Sequence, residues 1–372
     1  HRGAPQRGTD DNPVSPVTAP KKDGETLPTV EEILAIYTAA NAAQVEAYKE
    51  ETFDGPMVAN MPKPGKIKKE TAMPEFDATL LTLSNGMKVY YKKTTFKEDE
   101  IRFTASSWGG LSVLPQDDYI TLSNLDDVIT LGGVGNFSAT DLPKVLAGKK
   151  VRVNPYISQM SEGMSGNCSP KDLETMMQLI YLYFTAPRAD EEAFQSYAQR
   201  TKAALENQEL NPMTTFSDSL IKVLYNNHPL RLRTKVEDID KIDYAKAMEY
   251  YKKSFADPNN FTFYFVGNID ETTFKPLVEQ YLASLKKGKG KNEWKDINLG
   301  ISEKDIICHY EKEMQNPKVT IYMTINGLMD YNYRNIIYMN ALSDVMDIYY
   351  TRTIREEEGG TYGVGVYGSV MV

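Results

Sequence analysis

The stretch Leu81-Thr82-Leu83-Ser84-Asn85-Gly86-Met87-Lys88-Val89-Tyr90-Tyr91 decides how this chain is read. Leu81 and Leu83 lead into Asn85-Gly86, and Met87, Val89 and Tyr91 alternate with polar residues on the way out. Asn-Gly between two runs of period two is the strongest short-range signal for a β-hairpin. Working outward, Ile101, Phe103 and Ala105 continue as a strand that ends at Gly109-Gly110. A helix fits residues 117–131 and is stopped by Gly132-Gly133. Ser169-Pro170 with Asp172 opens a second helix through Leu173, Met176, Met177, Ile180 and Phe184, ended by Pro187. Further helices fit 190–209, 212–226 and 243–255. Phe261 to Val266 reads as a short buried strand, and Gly267-Asn268 turns it into a helix that ends near Leu285. Strands and helices mixed without strict βαβ alternation predict an α+β fold, with an antiparallel or mixed sheet and helices packed on one face.

Upstream, residues 1–25 are rich in Pro, Gly, Asp, Arg and Thr and read as a linker. Thr29 and Glu32 form a capping box at the start of a helix whose apolar stripe is Ile33, Leu34, Ile36 and Tyr37. Pro56, Pro62, Pro64 and Gly65 then mark an extended connector. Downstream, the Lys- and Gly-rich run 286–295 reads as a solvated linker. Beyond it, Val319, Ile321 and Met323 predict a strand, 331–352 a long helix, and 362–370 a strand after Gly359-Gly360. The order strand, helix, Gly-Gly, strand repeats that of the first unit and hints at a duplicated domain. The expected division is 1–77 as linker and connecting helix, 78–296 as one complete domain, and 297–372 as the first part of a second. In that second unit, 362–370 is expected to pair with 319–325 and leave an open sheet edge.

The formal net charge is −9, from 51 Asp and Glu against 42 Lys and Arg. An acidic balance argues against a nucleic-acid partner, which calls for clustered cations. The longest apolar runs, such as Leu179 to Phe184, are too short to span a bilayer. Two cysteines, Cys168 and Cys308, do not make a disulfide framework, and whether they pair stays open. The polar opening without Met or a signal peptide reads as a piece of something longer.

Candidate chemistry is sparse. A catalytic zinc takes about three His, Glu or Asp ligands, two of them commonly on one helix face as H-E-x-x-H or H-x-x-E-H. His1, His228 and His309 are dispersed, and none lies in such a motif. Cys308-His309 lacks metal-ligand spacing, and Cys168 reads as a buried small residue before a helix cap rather than a nucleophile. The run Gly132-Gly133-Val134-Gly135 ends a helix instead of opening one and has no following Lys, so it does not read as a phosphate loop. The remaining feature is Arg355-Glu356-Glu357-Glu358-Gly359-Gly360-Thr361-Tyr362. Arg355 sits in a helix's last turns, where the dipole favours a cation, and Gly359-Gly360 forces a sharp exit before Tyr362. From the residues alone this is either a helix cap followed by a surface aromatic or a corner that sets two functional side chains together.

That last stretch resembles the R-E-x-x-G-x-x-Y signature in the C-terminal half of the insulinase/pitrilysin family of zinc metallopeptidases. Other segments agree in the family's order. Leu83-Ser84-Asn85-Gly86-Met87-Lys88-Val89 resembles its L-x-N-G-x-x-V hairpin, Asn227-His228-Pro229 its H-P turn, and Val266-Gly267-Asn268-Ile269-Asp270 its strand-turn. Tyr281-Leu282-Ala283-Ser284-Leu285 resembles the Y-L-x-S-L-P ending, with Lys286 in place of Pro. The resemblance implies a duplicated metallopeptidase-type domain within four similar α+β domains, forming two halves around a chamber. It implies zinc held in the other half by H-x-x-E-H and a downstream Glu. Here the matching helix, near Ser123-Asn124-Leu125-Asp126-Asp127, has no histidine, and Glu206, near the third-ligand position, reads as a helix-surface carboxylate. The chain is therefore expected to be the non-catalytic, chamber-closing C-terminal half, with no catalytic residue and no metal of its own. Arg355 and Tyr362 are its expected substrate-binding residues. The implied partners are a catalytic N-terminal half, in the same polypeptide or a paired chain, and a peptide substrate. The implied location is a bacterial cell envelope or periplasm. The alternative is a degenerate homologue that scaffolds an active peptidase chain.

Overall fold

A computed structural model describes residues 28–43, 55–290, 293–313 and 316–371. The chain divides into two units, His1–Asp54 and Gly55–Val372. In the first unit, α1 (Val30–Ala42) begins with the predicted capping box: Thr29 Oγ1 accepts from Glu32 N, and Glu32 returns a carboxylate to Thr29 N. Of its apolar stripe, Leu34, Ile36 and Tyr37 are exposed and Ile33 is half-buried. The linker read at 1–25 lies outside the described residues.

The second unit is built on one mixed sheet of seven strands: β1 (Ile67–Met73), β2 (Ala78–Leu83), β3 (Lys88–Lys93), β4 (Ile101–Trp108), β5 (Val151–Ile157), β6 (Ser161–Cys168) and β7 (Thr262–Gly267). Their spatial order is β1-β2-β3-β7-β4-β6-β5. Every neighbouring pair is antiparallel except β3 and β7, which run parallel. The helices are α2 (Tyr119–Ser123), α3 (Leu125–Val128), α4 (Leu142–Val145), α5 (Leu173–Thr185), α6 (Glu191–Glu209), α7 (Pro212–Leu224), α8 (Tyr244–Ser254), α9 (Glu271–Leu277) and α10 (Tyr333–Tyr350). The expected α+β class with a mixed sheet is what the chain adopts.

The core lies on one face of the sheet. Leu81, Val89, Phe103, Phe263 and Phe265 project there and are almost wholly buried, as are Met176, Ile180, Tyr251 and Phe274 from α5, α8 and α9. Each such side chain contributes on the order of 1.5–3 kcal/mol on burial. Phe103 and Phe265 stack at 5.5 Å, and Phe265 meets Phe274 edge-on at 5.1 Å, so sheet and helix layer lock through aromatic contacts. After Pro276, α9 widens into a π-helical turn, Val278–Leu282. There Ala283 N donates to Val278 O, and Glu279 O accepts instead from Gly65 N of the connector, at 2.9 Å.

Several expectations need correction. The helix expected at 117–131 is two short pieces, α2 and α3, broken at Asn124, whose Nδ2 donates back to Ile120 O at 2.8 Å. An amide that bonds its own backbone competes with the helix ladder. The strand expected at 319–323 is irregular chain outside any sheet, and so is 362–370, so the two do not pair. The physical reason is that alternation stabilises a strand only where one face is covered, and Val319, Ile321, Met323 and Ile325 are all exposed. His309 lies exposed, outside any helix or strand. The long helix at 331–352 does form, as α10, capped by Asn332 Oδ1 accepting from Asn335 N and continuing as π-helical turns over Thr351–Glu357.

Candidate functional site

Two places bear on function: the corner after α10 and the region of α2 and α3. At the corner, the π-helical turns end with Glu358 N donating to Thr353 O at 3.1 Å and Gly360 N to Ile354 O at 2.9 Å. Gly359 takes φ of 60°, the left-handed conformation that closes such ends. Arg355 lies in the last turn and Tyr362 follows three residues past the left-handed glycine. Both side chains are exposed, and neither has a hydrogen bond or ion pair among the described residues. The nearby ion pair belongs to Arg352 and Glu357, at 2.9 Å. The cap half of the sequence reading is therefore present in full, and two free donors stand on either side of it.

At α2 and α3, the polar side chains are engaged in holding the fold. Asn124 is buried, and its Oδ1 accepts from Thr234 Oγ1 at 3.1 Å. Asp126 Oδ1 accepts from Ile157 N at 2.9 Å, and Thr121 Oγ1 from Asp243 N at 3.2 Å. Burial, with the Asp126 charge beside it, raises the carboxyl pKa of Asp127 above its ordinary value. Glu206 lies exposed on α6. Among the described residues, no three His, Cys, Asp or Glu side chains converge as a metal cage would need. Asp126 and Asp127, with no histidine beside them, are too few ligands for a zinc ion, which takes about three protein groups.

Sequence reasoning missed a cleft of about 500 Å³ beside this region. It runs between Trp108 at the end of β4, the turn of Ser158 and Met160, and Leu230. Ser123 Oγ lines it, buried and without a hydrogen-bond partner among the described residues. Gly109 and Gly110, with φ of 143° and 56°, link Trp108 to Leu111 on its lining, and Glu162 accepts from Gly110 N at 2.6 Å. A Cβ on Gly110 would sit 2.3 Å from Ser158 O, so the glycine the sequence marked as a strand end is required there. A smaller cleft of about 250 Å³ adjoins at Leu230 and includes Tyr119 and His228. His228 Nδ1 accepts from Leu230 N at 3.3 Å, capping the turn that the H-P motif marks.

Residues 241–370 match the family described as the peptidase M16 inactive domain. The chain belongs to the insulinase/pitrilysin-type peptidase family. It is 31% identical over 264 residues to an Arabidopsis thaliana protein named zinc protease PQQL-like, a match covering 70% of this chain and 25% of that protein. It is 24% identical over 300 residues to the probable zinc protease PqqL of Haemophilus influenzae, covering 81% and 32%. The periplasmic protease PqqL of Escherichia coli superposes with a TM-score of 0.57 at 23% identity, over 74% of this chain and 30% of that one. The last comparison concerns the fold. The chain thus spans between a quarter and a third of the length of these curated relatives, and the matched segment is of the inactive-domain type. Among the described residues, no helix is long and apolar enough to cross a membrane.

Proposed function

We propose that this chain supplies the substrate-binding, chamber-closing half of a zinc metalloendopeptidase whose metal site lies in a partner half, in the same polypeptide or a paired chain. The reading is supported most by the α2–α3 region. Where the resemblance places a metal-binding helix, Asn124, Asp126 and Thr121 instead hold α2, β5 and α8 in place. Asn124 and Thr121 are not ordinary zinc ligands, and Asp126 is turned to Ile157 N of β5. In this reading residues 78–296 form an inactive peptidase-like domain and 297–372 begin the next. The periplasmic relative suits a cell-envelope location.

Arg355 and Tyr362 act in it as substrate contacts. A guanidinium and a phenol can both donate to a peptide carbonyl, and such donors matter most where negative charge develops on that oxygen. The free donors on either side of the Gly359 cap suit that task. The test is Tyr362→Phe and Arg355→Ala in the two-half enzyme, with zinc content measured as a control. Each should lower kcat/KM about a hundred- to a thousand-fold, equivalent to about 2.7–4 kcal/mol, at unchanged zinc. Wild-type kcat/KM in both variants would leave the corner as a helix cap and nothing more.

A further inference from the structure

The sheet has a second face, turned away from the helices, and its charge is of one sign. Register places Lys69 beside Thr82 and Thr82 beside Lys88. Four residues further along β3, Lys92 lies beside Val266, Val266 beside Arg102, Arg102 beside Asn167, and Asn167 beside Arg152. These five cations are the only Lys, Arg, Asp or Glu that the paired strand positions present on this face. The strands contain two carboxylates, Glu70 and Glu162, and both fall on the helix side, in register with Leu81 and Ser107. A merely solvated face of a chain with net charge −9 would carry both signs. Glu100 in a flanking turn pairs with Arg102 at 3.0 Å, and Asp77 lies 3.9 Å from Lys92. Lys69, Lys88 and Arg152 have no ion pair among the described residues.

Between the two basic rows runs a neutral one. Tyr90 and Tyr264 stack there at 5.1 Å with planes 11° apart. Thr104 follows in register, and Tyr264 and Val266 remain close to half exposed, at 46% and 44%. Lys88 and Lys92 are four residues apart on one strand, or about 13 Å. An extended peptide with carboxylates at i and i+4 has the same spacing, and its residue i+2 would lie over the tyrosine pair.

We propose that this open face docks an acidic polypeptide segment in extended form, of the pattern acid-x-apolar-x-acid. The carboxylates meet the two basic rows, and the central apolar side chain covers Tyr90 and Tyr264. The charge is complementary, and the surface holds whether or not the chain works within a protease. A nucleic acid suits it less well, since five cations on a chain of net charge −9 give a weak field for a long polyanion.

The experiment is fluorescence anisotropy with the full chain and a labelled peptide of repeating Glu-Ser-Leu-Ser-Glu. Comparators are a peptide of the same composition with its acids adjacent, a Lys-for-Glu peptide, and a single-stranded oligonucleotide. The patterned peptide should bind tightest and weaken at least tenfold between about 50 and 500 mM salt. Lys88→Glu with Lys92→Glu should weaken it at least tenfold. Lys252→Glu with Lys253→Glu on α8, the same change in net charge, should leave affinity within about twofold, with circular dichroism confirming fold in both. Salt-insensitive binding of the wild-type chain, equal loss in the α8 pair, equal affinity for the scrambled peptide, or tighter binding of the oligonucleotide would each overturn the proposal.

Discussion

Replacing Asn85 should unfasten the central hairpin from the helix layer. Asn85 is 6% exposed and uses its whole amide. Its Nδ2 donates to Leu282 O at 2.8 Å and Leu285 O at 3.1 Å, and its Oδ1 accepts from Met87 N at 3.1 Å. In Asn85→Ala three bonds go, each worth about 1 kcal/mol net, and two carbonyls and an N–H in a buried setting lose their partners. We expect a loss of about 3–5 kcal/mol, well above the ordinary cost of a point change. Urea denaturation followed by far-UV circular dichroism would read it as a midpoint about 1–2 M lower, at an m-value of about 3 kcal/mol/M. Asn85→Asp preserves the shape but turns a carboxylate oxygen toward two carbonyls, which raises the folded-state pKa above the unfolded value of about 3.9. A raised folded pKa gives stability that is present below the unfolded pKa and is lost as pH rises through the folded one. Asn85→Asp should therefore be mildest below about pH 4 and most damaging at neutral pH. A cost under about 1 kcal/mol for Asn85→Ala, or an Asn85→Asp penalty that is flat from pH 4 to 7, would refute the reasoning.

Two further outcomes follow from buried contacts. Gly65→Ala places a Cβ 2.1 Å from Ala283 O, so the connector must lift off the π-helical turn and break the Gly65 N to Glu279 O bond; trypsin should then cut after Lys66 at least tenfold faster than in wild type, and an unchanged rate would count against that docking. Burial, with the Asp172 charge nearby, pushes the Cys168 thiol up to about 12, while Cys308 is exposed. A thiol reagent at pH 8 should therefore label one cysteine quickly under native conditions and the second only on unfolding. Because the folded pKa of Cys168 is the raised one, its share of stability is complete below about pH 8.5 and falls as pH climbs toward 12; native labelling of both cysteines at equal rates would refute this.

Much of the fold was legible in local sequence. The hairpin at Asn85-Gly86, the strand ending at Gly109-Gly110, helices α5 to α8 and the caps at Thr29 and Gly359 follow from nearest-neighbour chemistry, and all are present. Asn85 was legible as a turn residue, but not as the amide that binds Leu282 and Leu285, about two hundred residues away. β5 and β6 escaped the reading because their residues answer to neighbours across the sheet. Pro155 is tolerated because β5 is an edge. Gly163 and Gly166 are needed because a Cβ would come within 2.1 Å of Ala105 O and 2.0 Å of Arg152 O. Conversely, the alternation at 319–325 is a fair local strand signal, yet no layer covers it here and no strand forms. The candidate sites divide in the same way. Arg355 and Tyr362 stand out in sequence because one short corner, residues 355–362, carries both. The cations of the open face are scattered from Lys69 to Arg152 and become one surface only through strand register, which is set by the burial of aromatic side chains on the opposite face.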